Sequence, residues 1–200
     1  MKNILTRAAA LVAAVVFTLL MASCSVTYDE GEIIAASAEL IEASYDINTV
    51  FFGTGLPSVE SDDEVLRHYE IAEDSPYHTK DEIEKATLEV YSPDYAEFLF
   101  EKAFAGFSVS IGDEDSVDAD QTIDARYVEY AGRLVILPIA EEDIMKLDRT
   151  YDTSDITVVS QKNGRATLSV PSFVDGVPDE DVTLTVVMTD DGWRLDTPTY

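Results

Sequence analysis

Histidine, cysteine, tryptophan and basic residues are all scarce in this chain. The two histidines, His68 and His78, lie ten residues apart in loop-like sequence and are expected at the surface. They leave little room for a histidine-based metal site or a histidine-activated nucleophile, and no metal ligand set is expected. The single cysteine, Cys24, has no internal disulfide partner, so no disulfide framework holds the fold. Lysine and arginine number 13 against 40 aspartates and glutamates, a formal charge of −27. A field of that sign repels nucleic acid and anionic lipid surfaces, so neither is an expected ligand. There is no phosphate loop and no dinucleotide fingerprint, and no cofactor is expected. What the chain does have is a hydrophobic fraction of 46%, which suits a globular protein and argues against disorder.

Its one long apolar run is at the start. Lys2 and Arg7 form a short basic segment, and Ala8 to Met21 is apolar except for Thr18. As a helix that run would span about 21 Å at roughly 1.5 Å per residue, short of a bilayer core of about 30 Å. It suits a signal peptide instead. Leu20-Met21-Ala22-Ser23-Cys24 follows, with small residues before the cysteine. This resembles the lipobox of bacterial lipoproteins, with Met21 where leucine is usual. The resemblance implies cleavage before Cys24, a lipid on its thiol, and anchoring to the extracytoplasmic face of a cell membrane. Lipidation would also remove a free thiol from an oxidising compartment, and two or more acyl chains anchor durably. The competing reading is an ordinary signal peptide with Cys24 incidental. The expected organisation is a signal peptide over 1–23, a lipidated cysteine and tether over 24–31, and one domain over 32–200. The mature chain of 177 residues, having lost Lys2 and Arg7, would carry a formal charge of −29.

Helical signals come first. Ile33, Ser37, Leu40, Ile41, Ser44, Ile47 and Phe51 recur at spacings of three and four, with Glu32, Glu39 and Asp46 on the opposite face. The pattern predicts a helix over about Glu32–Val50, stopped by the glycines and proline of Phe52 to Pro57. Ser58 to Glu64 reads as an acidic loop, and Arg67 to Ala72 as one short strand. Thr79-Lys80-Asp81-Glu82 is a capping box that starts a second helix, with Ile83, Ala86, Thr87 and Val90 inward. Ser92-Pro93-Asp94 starts a third, lined by Tyr95, Phe98, Leu99, Lys102 and Ala103 and ended by Gly106.

The second half reads as β structure after an acidic loop over Gly112 to Asp124. Ala131-Gly132, Asn163-Gly164 and Asp190-Asp191-Gly192 are hairpin signals between alternating segments. Ala140 to Arg149 reads as one more short helix. Helices first and an antiparallel meander last make an α+β domain, with the N-terminal helices packed on a curved antiparallel sheet. The first helix is expected against the sheet's concave face, covered by Val128, Leu134, Ile136, Val158, Leu168, Val186 and Trp193.

This order, and the ending Asp191-Gly192-Trp193-Arg194-Leu195, resemble the NTF2-like (cystatin-like) superfamily, where a curved sheet wraps a long N-terminal helix. Further pieces are similar to small secreted proteins of Gram-positive bacteria. They are Ala43-Ser44-Tyr45 with Phe51-Phe52-Gly53, Val90 to Tyr95, and Arg126-Tyr127-Val128-Glu129 with Gly132-Arg133-Leu134. Such arrangements occur in uncharacterised lipoproteins and in the family that inhibits D,L-endopeptidases of the cell wall. The likeness rests on core and turn residues, so it implies a fold more than an activity. No inhibitory residue maps onto this chain.

Asp113, Glu114, Asp115, Asp118 and Asp120 crowd one loop. Asp118, Asp120, Asp124 and Glu129 fall at positions 1, 3, 7 and 12 of an EF-hand frame, but Ile123 stands where the turn needs glycine. A solvated acidic loop fits better than a calcium site, with Glu129 in a strand. Tyr45, Tyr69, Tyr91, Tyr127 and Trp193 read as core aromatics rather than a ligand cage. No catalytic residue is assigned. The expected function is a membrane-anchored, non-enzymatic domain that binds an envelope protein, such as a wall hydrolase. The alternative is an NTF2-like pocket that binds or isomerises a small ligand with an Asp–Tyr pair.

Overall fold

The stripe of apolar residues near the start forms the axis of the fold. In the computed structural model, which describes residues 27–62, 67–105, 107–110, 120–123, 125–139 and 144–200, helix α1 runs Glu30–Phe51. Asp29 caps it by accepting from the Glu32 amide, and Glu30 and Glu32 in the first turn complement the helix dipole. Every residue of the expected stripe, Ile33 to Phe51, is buried. Just before the helix, Tyr28 is clamped to the sheet. Its amide donates to Gln161 Oε1 at 2.9 Å, and its carbonyl accepts from Gln161 Nε2 at 3.0 Å. The Tyr28 ring meets Trp193 edge-on at 5.0 Å.

Helix α2, Lys80–Val90, has the capping box foreseen at Thr79 and Glu82, and buries Ile83, Thr87 and Val90. Helix α3, Pro93–Phe100, starts at its Ser92 cap and runs into a π-helical turn over Glu101–Ala105. It buries Ala96 and Leu99, while Phe98, expected on one side with Leu99 and Lys102, is exposed and has Lys102 Nζ 4.4 Å over its ring. Gly106 lies outside the described residues.

The strands are β1 (Ser58–Glu60), β2 (Tyr69–Ile71), β3 (Phe107–Ser110), β4 (Asp120–Ile123), β5 (Tyr127–Tyr130), β6 (Arg133–Ile136), β7 (Arg149–Tyr151), β8 (Thr157–Lys162), β9 (Arg165–Val174), β10 (Val177–Thr189) and β11 (Gly192–Leu195). All named strand pairs are antiparallel. The larger sheet runs β11-β10-β9-β7 with β8 also on β9, and curls into a half-barrel around α1. Register shifts between Asp179 and Val182 and between Val158 and Ser160 contribute to the bend. Leu168, Val170, Leu184, Val186 and Leu195 are fully buried in the core shared with α1, and Val158 is half-buried. The smaller sheet, β1-β2-β6-β5, supplies Leu134, Ile136 and Tyr127 to the same core. A chain of rings from Phe51 through Phe100 and Phe104 to Tyr127 joins it to the helices.

Three expectations need correction. Ser58–Glu60 is a strand, not a loop, because it finds the edge of β2. Asp120–Ile123 is likewise a strand, paired with Phe107–Ser110. The helix expected over Ala140 to Arg149 is absent among its described residues. There the chain is irregular before β7, with the Met145 amide donating to Phe52 O at 2.9 Å and Arg149–Tyr151 pairing with β9. Strands β9 and β10 are also longer than their apolar segments, because Asp175-Gly176 closes them with both φ angles positive, 51° and 74°. Asn163-Gly164 and Ala131-Gly132 turn the same way, as expected.

Candidate functional site

The space between α1 and the sheet is where a ligand pocket would lie in a fold of this shape. It is filled by the apolar side chains of the core, with a buried polar cluster around Thr199 toward the C-terminal end of α1. Thr199 is buried beneath α1 and accepts from Asn48 Nδ2 at 2.8 Å. Its hydroxyl donates to Ser44 Oγ at 2.7 Å and lies 3.0 Å from the Tyr91 hydroxyl. Tyr91 donates to Asn48 Oδ1 at 2.8 Å, and Ser44 donates to Ile41 O at 2.7 Å. All four side chains are buried, and each has a hydrogen-bond partner. Burial, opposed by bonds to Thr199, Ser44 and Asn48, pushes the Tyr91 hydroxyl up to about 12. Tyr200 closes the entrance, its ring 4.2 Å from that of Phe52 and its hydroxyl 3.2 Å from that of Tyr95. A cavity of about 80 Å³ remains at this end, between Tyr45, Arg149 and Tyr200. No carboxylate is among the buried residues described.

At the C-terminus of α1 the buried cation Arg126 replaces the basic residue that the helix lacks in its last turn. Its Nη1 donates to Phe51 O at 3.1 Å and its Nη2 to Gly53 O at 2.7 Å, while the next residue, Tyr127, donates to Val50 O at 2.8 Å. The Arg126-Tyr127 pair thus donates to the orphan carbonyls of Val50 and Phe51 at the helix terminus and to Gly53 just beyond it. Gly55 makes room for it. Its φ is +85°, and a Cβ there would fall 2.6 Å from Arg126 Nη2. Burial lowers the guanidinium's pKa but leaves it charged.

A groove of about 500 Å³ lies on the outside, between α1, α2 and the start of β11. Helix α1 lays Ala36, Leu40, Ala43 and Ile47 along it, and Val90 and Trp193 form the far wall. Glu39, Asp46, Glu89 and Asp191 stand at its margin and are exposed. Tyr77 is half-buried in it. Burial first, then the charges of Asp46 and Glu89, raise its hydroxyl above the ordinary value. The Trp193 Nε1 is buried with no hydrogen-bond partner among the described residues.

The sequence candidates scatter. His78 is exposed beside Glu70, Glu129 and Arg133 in a second depression of about 250 Å³. His68, expected at the surface, is buried with its ring 5.4 Å from Tyr130. The Tyr130 ring, brought beside it by β5, is a tertiary contact that local polarity does not show. Tyr91, Tyr127 and Trp193 are buried as expected of core aromatics, and Tyr45 is half-buried with its hydroxyl accepting from the Tyr151 amide. Tyr69 instead faces solvent. Of the EF-hand frame, Glu129 lies in β5 and Asp120 in β4, while Asp118 and Asp124 lie outside the described residues, as do Asp113, Glu114, Asp115 and Cys24. Among the described residues no three histidine, cysteine, aspartate or glutamate side chains come together to hold a metal, and no helix is long and apolar enough to cross a membrane.

Sequence reasoning missed Asn48, Thr199 and Arg126. Asn48 sits four residues after Ser44 and seven after Ile41, so a polar group on the apolar stripe was the available signal. Nothing local marks Thr199. The chain matches no protein-family model and no curated protein.

Proposed function

We propose that the chain is a lipoprotein anchored through Cys24 to the extracytoplasmic face of a cell membrane, and that its domain binds another envelope component without catalysing a reaction. The observation that carries the second part is the filled interior. An isomerase-type pocket sets a carboxylate base beside an oxyanion donor in a cavity open to substrate. Here that place holds Ser44, Asn48, Tyr91 and Thr199, neutral groups bonded to one another and shut in by Tyr200. Tyr91, at about 12, keeps its proton at physiological pH. This arrangement favours a surface binder over the small-ligand alternative. The anchor rests on the lipobox-like segment Leu20 to Cys24 and on the cysteine's being single. Restraint of a wall hydrolase is one form such a role takes, and rests on the family resemblance alone.

Fractionation of cells expressing the full chain tests the anchor. The native protein should mature and collect with membranes, and Cys24→Ala should accumulate as an uncleaved or mislocalised precursor. A substituted protein that matures and stays on membranes as before would overturn the anchor.

A further inference from the structure

Positions 36, 40, 43 and 47 of α1 are spaced four, three and four apart, so they share one face. Ala36 and Ala43 are small, as is Ala86 across the gap, and the space their short side chains leave is the outer groove. From residue 36 to residue 47 the face is about 16 Å long at roughly 1.5 Å per residue, or about three helical turns. A floor ridged at helical spacing accepts another helix, whose ridges fit its grooves. The margin selects charge. Glu39, Asp46, Glu89 and Asp191 have no basic partner among the described ion pairs. The one cation there, Arg194, gives its Nε to Leu88 O and its Nη1 to Trp193 O. Trp193 forms part of the groove wall, and its buried indole N–H has no acceptor among the described residues.

We propose that this groove receives a basic amphipathic helix of a partner protein, its apolar side chains on the α1 floor and its lysines or arginines against the four carboxylates. The inference rests on reading the domain as a binding module and names the chemistry of its partner. Trp193 is the only tryptophan in the chain and reports directly on the groove. The probe is an 18-residue peptide of leucine and lysine at helical spacing, titrated into the full chain in zwitterionic nanodiscs. Trp193 emission should change and saturate. The same peptide with glutamate for lysine should give no change. Replacing three exposed carboxylates together, Glu39→Gln, Asp46→Asn and Glu89→Gln, should weaken binding about tenfold, since each exposed pair is worth a few tenths of a kcal/mol. Unchanged circular dichroism of that variant would show that the fold is intact. The proposal falls if the two peptides act alike, if the triple variant binds as tightly as the native chain, or if spermine matches the lysine peptide. Cys24→Ala should give the same titration, so loss of the anchor reading and loss of the groove reading are separately visible.

Discussion

Arg126 shows how one buried side chain decides a local structure. Its guanidinium has no carboxylate partner among the described ion pairs, and its Nε has no partner among the described residues. What stabilises it is the negative end of α1, through the carbonyls of Phe51 and Gly53. Arg126→Met keeps much of the apolar volume but leaves both carbonyls without their donor. A hydrogen bond to a charged group is worth about 1.5–3 kcal/mol, and a buried acceptor left alone costs about 1–3. The substitution should therefore cost about 2–4 kcal/mol in chemical denaturation. Arg126→Lys should fall between, because a point charge cannot reach two carbonyls in the geometry of a planar fork. If methionine proves harmless, the contacts of Arg126 to α1 are incidental.

At the scale of elements, α1 is the piece on which the others depend. Leu40 is 8% exposed, while Glu39 beside it is exposed at the groove margin. Leu40→Ala should cost about 2–5 kcal/mol, the transfer term plus a cavity, and Glu39→Ala less than about 0.5. Equal effects in denaturation would make α1 a stalk rather than the centre of the core. This helix was legible because its burial repeats at helical spacing within one segment. The turns at Asn163-Gly164 and Ala131-Gly132 were legible because glycine at positive φ is a local requirement. Strand β1 was not, since Ser58, Val59 and Glu60 are all exposed and only the edge of β2 makes them a strand. Nor was the far part of β10, where Asp179 to Asp181 are exposed and the register comes from the neighbouring strand. Of the outer groove, Leu40 and Ile47 belong to the stripe that could be read in advance, but Ala36, Ala43 and the pairing with α2 and Trp193 could not, because tertiary contact makes the groove. Thr199 was hidden for the same reason: it lies beyond the last strand, with no periodicity to mark it as core.

For the whole molecule, the buried tyrosines set the alkaline limit of stability. Burial pushes Tyr91 and Tyr127 from 10 up to about 12. Both are acids whose folded pKa is raised, so folding is unaffected by them below about pH 10. Above it they ionise in the unfolded chain and stay protonated in the fold, which favours unfolding until pH passes about 12. Each should lower stability by about 1.4 kcal/mol per pH unit in that window. Denaturation curves between pH 8 and 12 should show a plateau followed by a fall, with Tyr91→Phe shallower. A flat curve to pH 12 would contradict the burial of these hydroxyls. The clamp of Tyr28 on Gln161 has a different consequence. It fixes the chain to the sheet only four residues after Cys24, with Ser25, Val26 and Thr27 between. At about 3.3–3.6 Å per residue, that leash is no longer than about 14 Å, roughly half the thickness of the bilayer core to which a lipid on Cys24 would fasten it. So tethered, the domain could not sweep the periphery of the cell for partners; it would patrol a thin layer just above the lipid, and whatever it meets would have to come down to that height.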